Sequence, residues 1–291
     1  MATRIRTMTA ADVDGATDAL LRGDWGDRRS FFAFAVAHPA CDAVVAEDGG
    51  RIIGTGVGTR SGPVGWVGTI FVEAEHRGAG LGTALTERIC DGLDAAGCRT
   101  LALVATEQGR PLYERMGFEI VDWYVTVERE AVTQDTGSAA GASAGAGACA
   151  ADRMLSPFDP ADVRQSAVLD RAATGEDREH LLAAFAGIAG GLALRDAAGI
   201  LRGFVVRAPW GGGATIAPDP RDARLLLSAR LAAAPPGHRV RAGTLLSNTA
   251  GLAALAADGW TEAWRAPRLH RGEPLAWDPA AIWGQFNHAI G

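Results

Sequence analysis

The sequence predicts an α/β protein that is built from two lobes in tandem. Strand-like and helix-like segments alternate along both halves of the chain, and a segment of small residues separates the halves. Several segments of the second half also match segments of the first half at a nearly constant offset. A chain of 291 residues has the length of two ordinary domains, so both lobes can enclose a core.

The separating segment, residues 133–151, consists almost entirely of Ala, Gly, Ser and Thr. This composition offers little apolar surface to bury and leaves the backbone much freedom, which is typical of a flexible linker. It predicts a first domain over residues 1–132 and a second over residues 152–291.

The first lobe begins with a strand, two helices and three more strands, predicted at Arg4–Thr9, Ala10–Leu21, Arg29–Ala37, Ala43–Glu47, Arg51–Thr59 and Gly65–Val72. The sequence Asp-Gly-Gly at positions 48–50 is typical of a hairpin turn between two of these strands. A long helix follows, because leucine or isoleucine recurs every four residues from Leu81 to Leu93. A strand, a short helix and one or two closing strands are predicted at Thr100–Ala105, Pro111–Met116 and Phe118–Val127.

The second lobe repeats the later part of this order. Strands are predicted at Leu192–Arg195, Leu201–Ala208, Thr215–Ala217, His238–Leu246 and Trp260–His270, and helices at Pro220–Ala234 and Asn248–Asp258. Gly117-Phe118 matches Gly259-Trp260 at an offset of 142 residues. The matches indicate an internal duplication, although similar α/β elements can also match by chance.

Composition and charge exclude several classes of protein. The net charge is −6, and all 28 basic residues are arginine, so a basic nucleic-acid-binding face is not expected. The four cysteines, at positions 41, 90, 98 and 149, form no metal-ligand pattern, and we expect no metal. No apolar run reaches membrane-spanning length, and the first residues do not form a signal core. We therefore expect a cytoplasmic protein without nucleic-acid or membrane partners.

The segment from Arg77 to Thr83, RGAGLGT, joins a strand to the long helix. Amide N–H groups at a helix start have no partner within the helix, and glycines allow an anion to approach them closely. The loop therefore predicts a phosphate or pyrophosphate site, with a tight turn that binds nothing as the alternative. A dinucleotide-binding loop or a P-loop is disfavoured, because the residues that complete those motifs are missing.

This segment resembles the hallmark of the GNAT acyltransferase superfamily, in which Arg or Gln precedes a glycine pair at fixed spacing, here Arg77, Gly80 and Gly82. The residues Val72–Arg77 before it and Leu112–Phe118 after it fit the same resemblance. The resemblance implies a mixed, largely antiparallel central sheet with flanking helices. It also implies that acetyl-CoA, or another acyl-CoA, is the co-substrate of the first lobe.

The resemblance further implies how the cofactor is held. The main chain of Ile70, Phe71 and Val72 would pair with the pantetheine arm, and an N–H near Phe71 or Val72 would polarise the thioester carbonyl. Arg77 and the backbone of the loop would bind the pyrophosphate through Gly78, Ala79, Gly80, Leu81, Gly82 and Thr83. Thr106 stands where many relatives have an asparagine that contacts the pantetheine.

Tyr113 occupies the place of the acid that protonates the departing CoA thiolate in this superfamily. Its alternative role is that of a tyrosine packed against the sheet. No motif fixes the base, and Glu73 is the first candidate, followed by Asp24, Glu107 and Asp122, although each of them can also be a surface carboxylate. We expect the acceptor to lie near Asp24, Trp25 and Trp123, with core packing as the alternative for the two tryptophans.

The second lobe lacks these residues. The counterpart of the glycine loop contains Pro218, Asp219, Pro220 and Asp222, and prolines remove donors while aspartates repel phosphate. Tyr113 corresponds to Leu255, whereas Asn248 survives at the position of Thr106. We expect a degenerate lobe that covers or shapes the active one, or forms a homodimer.

The leading interpretation is transfer of an acetyl group to a primary amine of a small molecule, by direct attack in a ternary complex. Antibiotics, amino acids and polyamine-like metabolites remain as acceptor classes. The alternatives are a protein N-terminal or lysine acetyltransferase, a non-catalytic acyl-CoA sensor, and a non-transfer reaction such as decarboxylation on the same scaffold.

Overall fold

A computed structural model describes residues 3–131 and 152–291 of the chain. The predicted linker, residues 133–151, lies outside the described residues. The chain forms two compact units that are not contiguous in sequence. Unit 1 comprises Met1–Val121, Pro267–Leu275 and Asn287–Gly291, and unit 2 comprises Asp122–Ala266 and Ala276–Phe286.

Unit 1 contains five strands and four helices in the first part of the chain. They are β1 (Arg4–Thr7), α1 (Val13–Arg22), α2 (Arg29–Ala37), β2 (Cys41–Asp48), β3 (Arg51–Ser61), β4 (Val64–Val72), α3 (Leu81–Ala95), β5 (Thr100–Val104) and α4 (Arg110–Arg115). The strands are hydrogen-bonded in the order β1-β2-β3-β4-β5. Only the β4–β5 pair is parallel, so the predicted mixed, largely antiparallel sheet is confirmed.

The core of unit 1 lies between this sheet and α3. Leu85, Ile89 and Leu93 of α3 are buried against Val67 and Leu101 of the sheet. The four-residue spacing of the apolar residues therefore places one face of α3 on the sheet, as the sequence predicts. Each fully buried aliphatic side chain contributes roughly 1.5–3 kcal/mol to folding, so this layer fixes the position of the N-terminus of α3.

Unit 2 begins within strand β6 (Glu119–Glu130), at Asp122, and continues after the undescribed segment. Its further elements are β7 (Arg153–Pro157), α5 (Val163–Thr174), α6 (Glu179–Phe185), β8 (Leu192–Asp196), β9 (Leu201–Arg207), β10 (Gly213–Ile216), α7 (Pro220–Ala232), β11 (Arg239–Leu245), α8 (Thr249–Ala257) and β13 (Ile282–Gly284). Strand β12 (Thr261–Gly272) belongs to unit 2 up to Ala266 and to unit 1 from Pro267. One sheet of the unit has the order β13-β10-β9-β8-β7. The sequence did not indicate β7, α6 and β13, which are short, nor α5, whose buried face consists largely of small and polar residues such as Ser166, Ala167 and Asp170.

The two halves of the chain have the same order of elements. The series from β7 to β12 repeats the series from β1 to β6, including the two helices after the first strand. Both first strands are followed by a short 3-10 turn with a capping box, formed by Thr9 with Asp12 and by Asp159 with Asp162. The repeat is therefore more extensive than the sequence matches indicated.

The last strand of each half belongs to the sheet of the other half. In unit 1, Arg268–Gly272 of β12 pair antiparallel with β5. In unit 2, Tyr124–Glu130 of β6 pair antiparallel with β11. The compact units thus differ from the predicted contiguous domains by this reciprocal exchange, and residues 287–291 belong to unit 1 rather than to the second domain. The domain boundaries at 132 and 152 stay a prediction.

Across the described part of the chain, the helices are too short or too polar to cross a lipid bilayer.

Candidate active site in unit 1

The glycine loop has the geometry that an anion site at a helix start requires. Gly78 and Gly80 have positive φ angles of 82° and 81°, a backbone conformation that residues with a Cβ rarely adopt. A Cβ at either position would meet no atom within 4 Å, so the space beside the loop is open. Gly80 is the N-cap of α3 and offers no side chain to the first amides of the helix. These amides are therefore available to an external acceptor.

Arg77 lies at the start of this loop and is fixed by the end of β4. Its Nε donates a hydrogen bond of 2.9 Å to the carbonyl oxygen of Val72. One edge of its guanidinium thus binds the strand. The side chain joins the glycine loop to the part of β4 that the sequence predicts for the pantetheine arm.

Strand β4 has a free edge along its second half. It pairs with β5 only over Val64–Trp66, so the segment from Val67 to Val72 is not hydrogen-bonded to β5. The N–H of Glu73 donates to the carbonyl of Ile53 on β3. Because successive residues of a strand point their N–H groups to opposite sides, the N–H of Val72 points to the free edge. Val72 is therefore better placed than Phe71 to polarise a carbonyl there.

Strand β4 has a bulge at Thr69, in the part of the strand that is no longer paired with β5. Thr69 has a positive φ angle of 52°, and the register between β3 and β4 shifts between Thr55 and Val57. The Thr55 hydroxyl donates to the carbonyl of Thr69 at 2.9 Å and holds the bulge. The sequence does not indicate this feature, since a threonine in a β-rich run gives no sign of a left-handed conformation.

Tyr113 lies on α4 and is 9% exposed. Its ring packs edge-on against Phe118, with 6.1 Å between ring centroids, and belongs to the same apolar cluster as Leu85 and Ile89. Burial, and to a smaller extent the nearby Cys90, raise the pKa of the Tyr113 phenol. The phenol is therefore protonated at neutral pH, as a general acid must be.

Thr106 forms the turn into α4. The side chain is exposed, and its hydroxyl oxygen accepts a hydrogen bond of 3.1 Å from the N–H of Gly109. The hydroxyl hydrogen remains a donor for a ligand, because a hydroxyl accepts and donates at the same time. The predicted contact with the pantetheine stays a prediction.

Glu73 lies at the end of β4 and is 5% exposed. Its carboxylate accepts from Nε of Arg22 at 2.6 Å and from Nη2 of Arg51 at 2.9 and 3.1 Å. Both carboxylate oxygens are therefore held in ion pairs, which gives Glu73 a structural function that the sequence did not indicate. Its predicted role as the general base stays a prediction.

The candidate acceptor residues fall into different units. In unit 1, Asp24 is exposed with a φ angle of 59°, and the Trp25 ring stacks edge-on against Phe71 at 5.5 Å. Trp123 belongs to unit 2, where the preceding Asp122 accepts from its N–H and from the hydroxyl of Ser247. The structure thus brings Trp25 to β4 and places Asp122 in a structural contact. The substrate-binding roles of Asp24, Trp25 and Trp123 stay predictions.

A cleft of about 260 Å³ opens beside the end of β4. Phe71, Glu73 and Arg77 line it together with the end of α1 and the start of β3. The further lining residues are Arg22, Gly23, Arg51, Ala74 and Glu75. The sequence does not point to Arg22 and Arg51, because they are far apart in the chain and come together on the carboxylate of Glu73.

One group among the described residues has the spacing of metal ligands, namely Glu73, Glu75 and His76, whose ligand atoms lie within 4.8 Å of one another. The guanidinium groups of Arg22 and Arg51 already lie on the carboxylate of Glu73. A cation would have to displace them against their charge, so this group does not fit a metal ion.

The counterpart of the glycine loop in unit 2 is closed by its own side chains. Asp219 caps α7 by accepting from the N–H of Arg221 at 2.8 Å. Asp222 is buried and accepts from Nε of Arg153 at 2.8 Å. A carboxylate of the chain thus occupies the helix start where unit 1 offers open amides.

The free edge also has a counterpart in unit 2, and there it is filled. The neighbours of β10 are β9 and β13, so the chain's own segment Ile282–Gly284 pairs where β4 is unpaired. Trp283 of this segment is fully buried, and its Nε1 donates to the carbonyl of Ala217 at 3.0 Å. The side chain of Asn248, the counterpart of Thr106, donates to the carbonyl of Ala280 at 3.3 Å.

Comparisons with known proteins agree with this geometry. Residues 39–120 match the family model of the acetyltransferase (GNAT) domain. A glucosamine 6-phosphate N-acetyltransferase from Trypanosoma brucei brucei is 39% identical over 61 residues, which are 21% of this chain. The chain covers 42% of the length of that relative.

Solved structures with low sequence identity share the fold over nearly the whole chain. A proposed acetyltransferase from Pyrococcus horikoshii aligns with a TM-score of 0.78 at 20% identity, over 99% of this chain and 96% of its own. A tandem GNAT protein from the clavulanic acid biosynthesis pathway aligns with a TM-score of 0.58 at 14% identity, over 94% and 99% of the two chains. A GCN5-related N-acetyltransferase from Kribbella flavida aligns with a TM-score of 0.56 at 14% identity, over 93% and 72%.

Proposed function

We propose that this chain, which belongs to the GNAT superfamily through residues 39–120, transfers an acetyl group from acetyl-CoA to the amine of a small molecule. The observation that supports this most is the combination of open amides at the start of α3 with the free edge of β4. An anion-binding helix start and an unpaired strand edge are the two features that a diphosphate and a pantetheine amide require.

In this proposal the diphosphate lies on the N–H groups from Gly78 to Thr83, and the pantetheine pairs with β4 along Ile70–Val72. The thioester carbonyl accepts a hydrogen bond from the N–H of Val72, which stabilises the negative charge that develops on the oxygen. Thr106 donates its hydroxyl hydrogen to the pantetheine.

The deprotonated amine attacks the carbonyl carbon, a C–N bond forms, and the C–S bond breaks. The departing CoA sulfur takes the proton of Tyr113, and the phenolate regains a proton from solvent. The proton of the amine passes through water to an acceptor, for which Glu73 remains the candidate that the sequence suggests. The ion pairs of Glu73 with Arg22 and Arg51 compete with this role, because proton uptake would neutralise one partner.

Glu73→Gln separates the two roles of Glu73. A base would show as a lower kcat whose pH dependence changes, while an ion-pair role would show as a lower free energy of unfolding with kcat retained. Both are measured on the same preparation, by steady-state kinetics and by urea denaturation.

A small acceptor is supported by the size of the cleft beside β4, which holds about 260 Å³. A protein N-terminus or lysine would need an open groove, and a sensor would not need a tyrosine at the place of the superfamily's general acid. Both alternatives from the sequence analysis are outcomes of the test below.

The test uses the full chain with acetyl-CoA and a panel of small amines, with release of CoA thiol as the readout. Isothermal titration with acetyl-CoA is the companion measurement. Thiol release with at least one small amine supports the proposal. Acetyl-CoA binding without thiol release, with small amines or with peptides, favours a sensor, and the absence of any acetyl-CoA binding contradicts the proposal. A cytoplasmic location and a homodimer stay predictions, checked by fractionation and by light scattering.

A further inference from the structure

The cleft at the end of β4 has a surplus of positive charge. Arg22, Arg51 and Arg77 line it, against the two carboxylates of Glu73 and Glu75. Three guanidinium groups and two carboxylates leave one formal unit of positive charge in a cleft of about 260 Å³. Arg77 shares its charge with the pyrophosphate that the resemblance assigns to it, so Arg22 and Arg51 are the donors left for an acceptor. The whole chain has a net charge of −6, so the positive charge of the cleft is a local feature with the opposite sign.

Ion pairs place the guanidinium groups of Arg22 and Arg51 at the cleft. Nε and Nη2 of Arg22 contact Glu73, and Nη2 also donates to the carbonyl of Ile52 at 3.2 Å. Arg51 places Nη2 on both oxygens of Glu73, and its Nη1 lies 3.6 Å from Glu75. Because Glu73 is 5% exposed and rigidly placed at the strand end, it fixes both arginines at the cleft. Fixed guanidinium donors lose little side-chain entropy when a ligand arrives, and they bind planar anions well.

The contacts above leave donors of these arginines for a ligand. The hydrogen bonds described above use Nε and Nη2 of Arg22 and Nε of Arg77. Each guanidinium carries five N–H donors, so both arginines have further N–H groups for a ligand. The side chains of Arg22 and Arg51 are 41% and 52% exposed, so solvent reaches them. A carboxylate or phosphate can therefore replace water on these groups without breaking the ion pairs of Glu73.

The cleft also reaches the edge where the reaction is proposed to occur. Arg77 lines the cleft and donates to the carbonyl of Val72, whose N–H and carbonyl both point to the free edge of β4. Phe71 lines the cleft on the face of the strand that Trp25 contacts. Further back on β4, a Cβ on Gly68 would lie 2.4 Å from the Cα of Ala289, so the chain covers that position. The cleft is thus the open part of this strand end.

We propose that the cleft binds an anionic group of the acceptor, so that the substrate is a small amine that also carries a carboxylate or a phosphate. This inference rests on the proposed acetyl transfer. Arg22 and Arg51 then determine specificity, and Glu73 positions them. The phosphates of acetyl-CoA carry the same chemistry, but the open amides of the glycine loop already serve a diphosphate, and the experiment separates the two sources.

The experiment compares acceptors in matched pairs that differ in the anionic group: α-amino acids with their amides, and glucosamine 6-phosphate with glucosamine. Spermidine serves as the purely cationic acceptor. The full chain is assayed by thiol release as wild type, Arg51→Gln, Arg22→Gln and Arg4→Gln. Arg4 is an exposed residue of β1 and is the matched control. Arg51→Gln leaves Arg22 on Glu73, and urea denaturation checks that each variant is folded.

We expect the anionic member of a pair to have the higher kcat/KM. Arg51→Gln and Arg22→Gln should raise its KM by about 10-fold or more, which corresponds to the loss of one charged hydrogen bond. In these two variants the KM of the neutral acceptor and the Kd of acetyl-CoA should stay close to the wild-type values. In the Arg4→Gln control, the KM of both acceptors should also stay close to wild type.

Three results would overturn the inference: spermidine or the neutral members preferred in every pair, an unchanged preference in both folded variants, or a weaker Kd of acetyl-CoA in place of a changed KM of the acceptor. The last result assigns the cleft to the phosphates of the cofactor. If acetyl-CoA does not bind to the wild type at all, the proposed function fails first, and this outcome is distinct because it precedes any comparison of acceptors.

Discussion

The second half of β4 in unit 1 and strand β10 in unit 2 occupy the same place in the repeated order of elements. Beyond Trp66, β4 has no hydrogen-bonded strand on the side of β5 within the described part of the chain, and open glycine amides follow it. Strand β10 instead pairs with Ile282–Gly284 of the same chain, and Asp219 caps the helix that follows. One half keeps its polar backbone groups available, and the other satisfies them internally.

This difference illustrates two ways in which a repeated fold can satisfy the same backbone groups. An unpaired strand edge and an uncapped helix start leave polar groups that need partners, and a half without a ligand must provide them itself. In unit 2 a peptide strand takes the place beside β10, and Asn248 binds its Ala280 carbonyl. We infer that the filled edge, as much as the lost glycines, would exclude coenzyme A from unit 2.

The largest expected effect concerns the residue that fills this edge. Trp283→Ala removes a fully buried indole and its hydrogen bond to Ala217, and should lower the free energy of unfolding by about 3–5 kcal/mol. Urea denaturation followed by circular dichroism measures it. Trp264, 38% exposed in the same unit, is the matched control, and Trp264→Ala should cost much less. Equal losses of unfolding free energy in both variants would show that the segment beside β10 contributes no more to stability than an exposed tryptophan does.

The second prediction concerns Tyr113 and its counterpart Leu255. Tyr113→Phe should lower kcat by about 100-fold, the usual contribution of a general acid, with the Kd of acetyl-CoA retained. Leu255→Met in the buried core of unit 2 should leave kcat unchanged. Since burial raises the pKa of Tyr113 above its ordinary value near 10, the acid form persists and Tyr113 should cause no loss of kcat up to about pH 10. Unchanged turnover of the phenylalanine variant would remove Tyr113 from the mechanism.

The third prediction tests the glycine loop. Gly80→Val introduces a Cβ at a φ angle of 81° beside the open amides, and should weaken acetyl-CoA binding by about 10-fold in calorimetry. Gly97, at the other end of α3, has a φ angle of 85° and equally open surroundings. Gly97→Val thus imposes the same backbone strain without touching the loop, and its Kd should match that of the wild type. A similar loss of affinity in both variants would mean that strain, rather than the loop, is responsible.

The smallest effect compares Thr106 with Asn248. Asn248 is 6% exposed, caps α8 through the N–H of Gly251 and binds Ala280, so Asn248→Ala should cost about 1–2 kcal/mol of unfolding free energy. Thr106 is exposed and its hydroxyl oxygen accepts from the N–H of Gly109, so Thr106→Ala, which removes this bond and keeps the backbone turn, should cost less than about 1 kcal/mol. Both are measured by urea denaturation. The reverse order would mean that the capping residue of unit 2 does not stabilise the filled edge.

The sequence determined the features that depend on local pattern. The apolar spacing from Leu81 to Leu93 fixed α3, the glycines fixed the loop before it, and the motif around Tyr113 fixed α4, because each signal lies within one element. The match of Gly117-Phe118 with Gly259-Trp260 also indicated the repeat, although α5, whose buried face includes the polar residues Ser166 and Asp170, did not extend it.

Only the tertiary structure decided what surrounds these elements. The left-handed Thr69, the meeting of Arg22 and Arg51 on Glu73, and the strand that fills the edge of β10 all join residues that are distant in sequence or lack a local signal. The pairing of β6 with β11 in unit 2 and of β12 with β5 in unit 1 belongs to the same class. Long-range pairing depends on which polar and apolar surfaces meet in the folded chain, and a linear sequence records only the residues that take part.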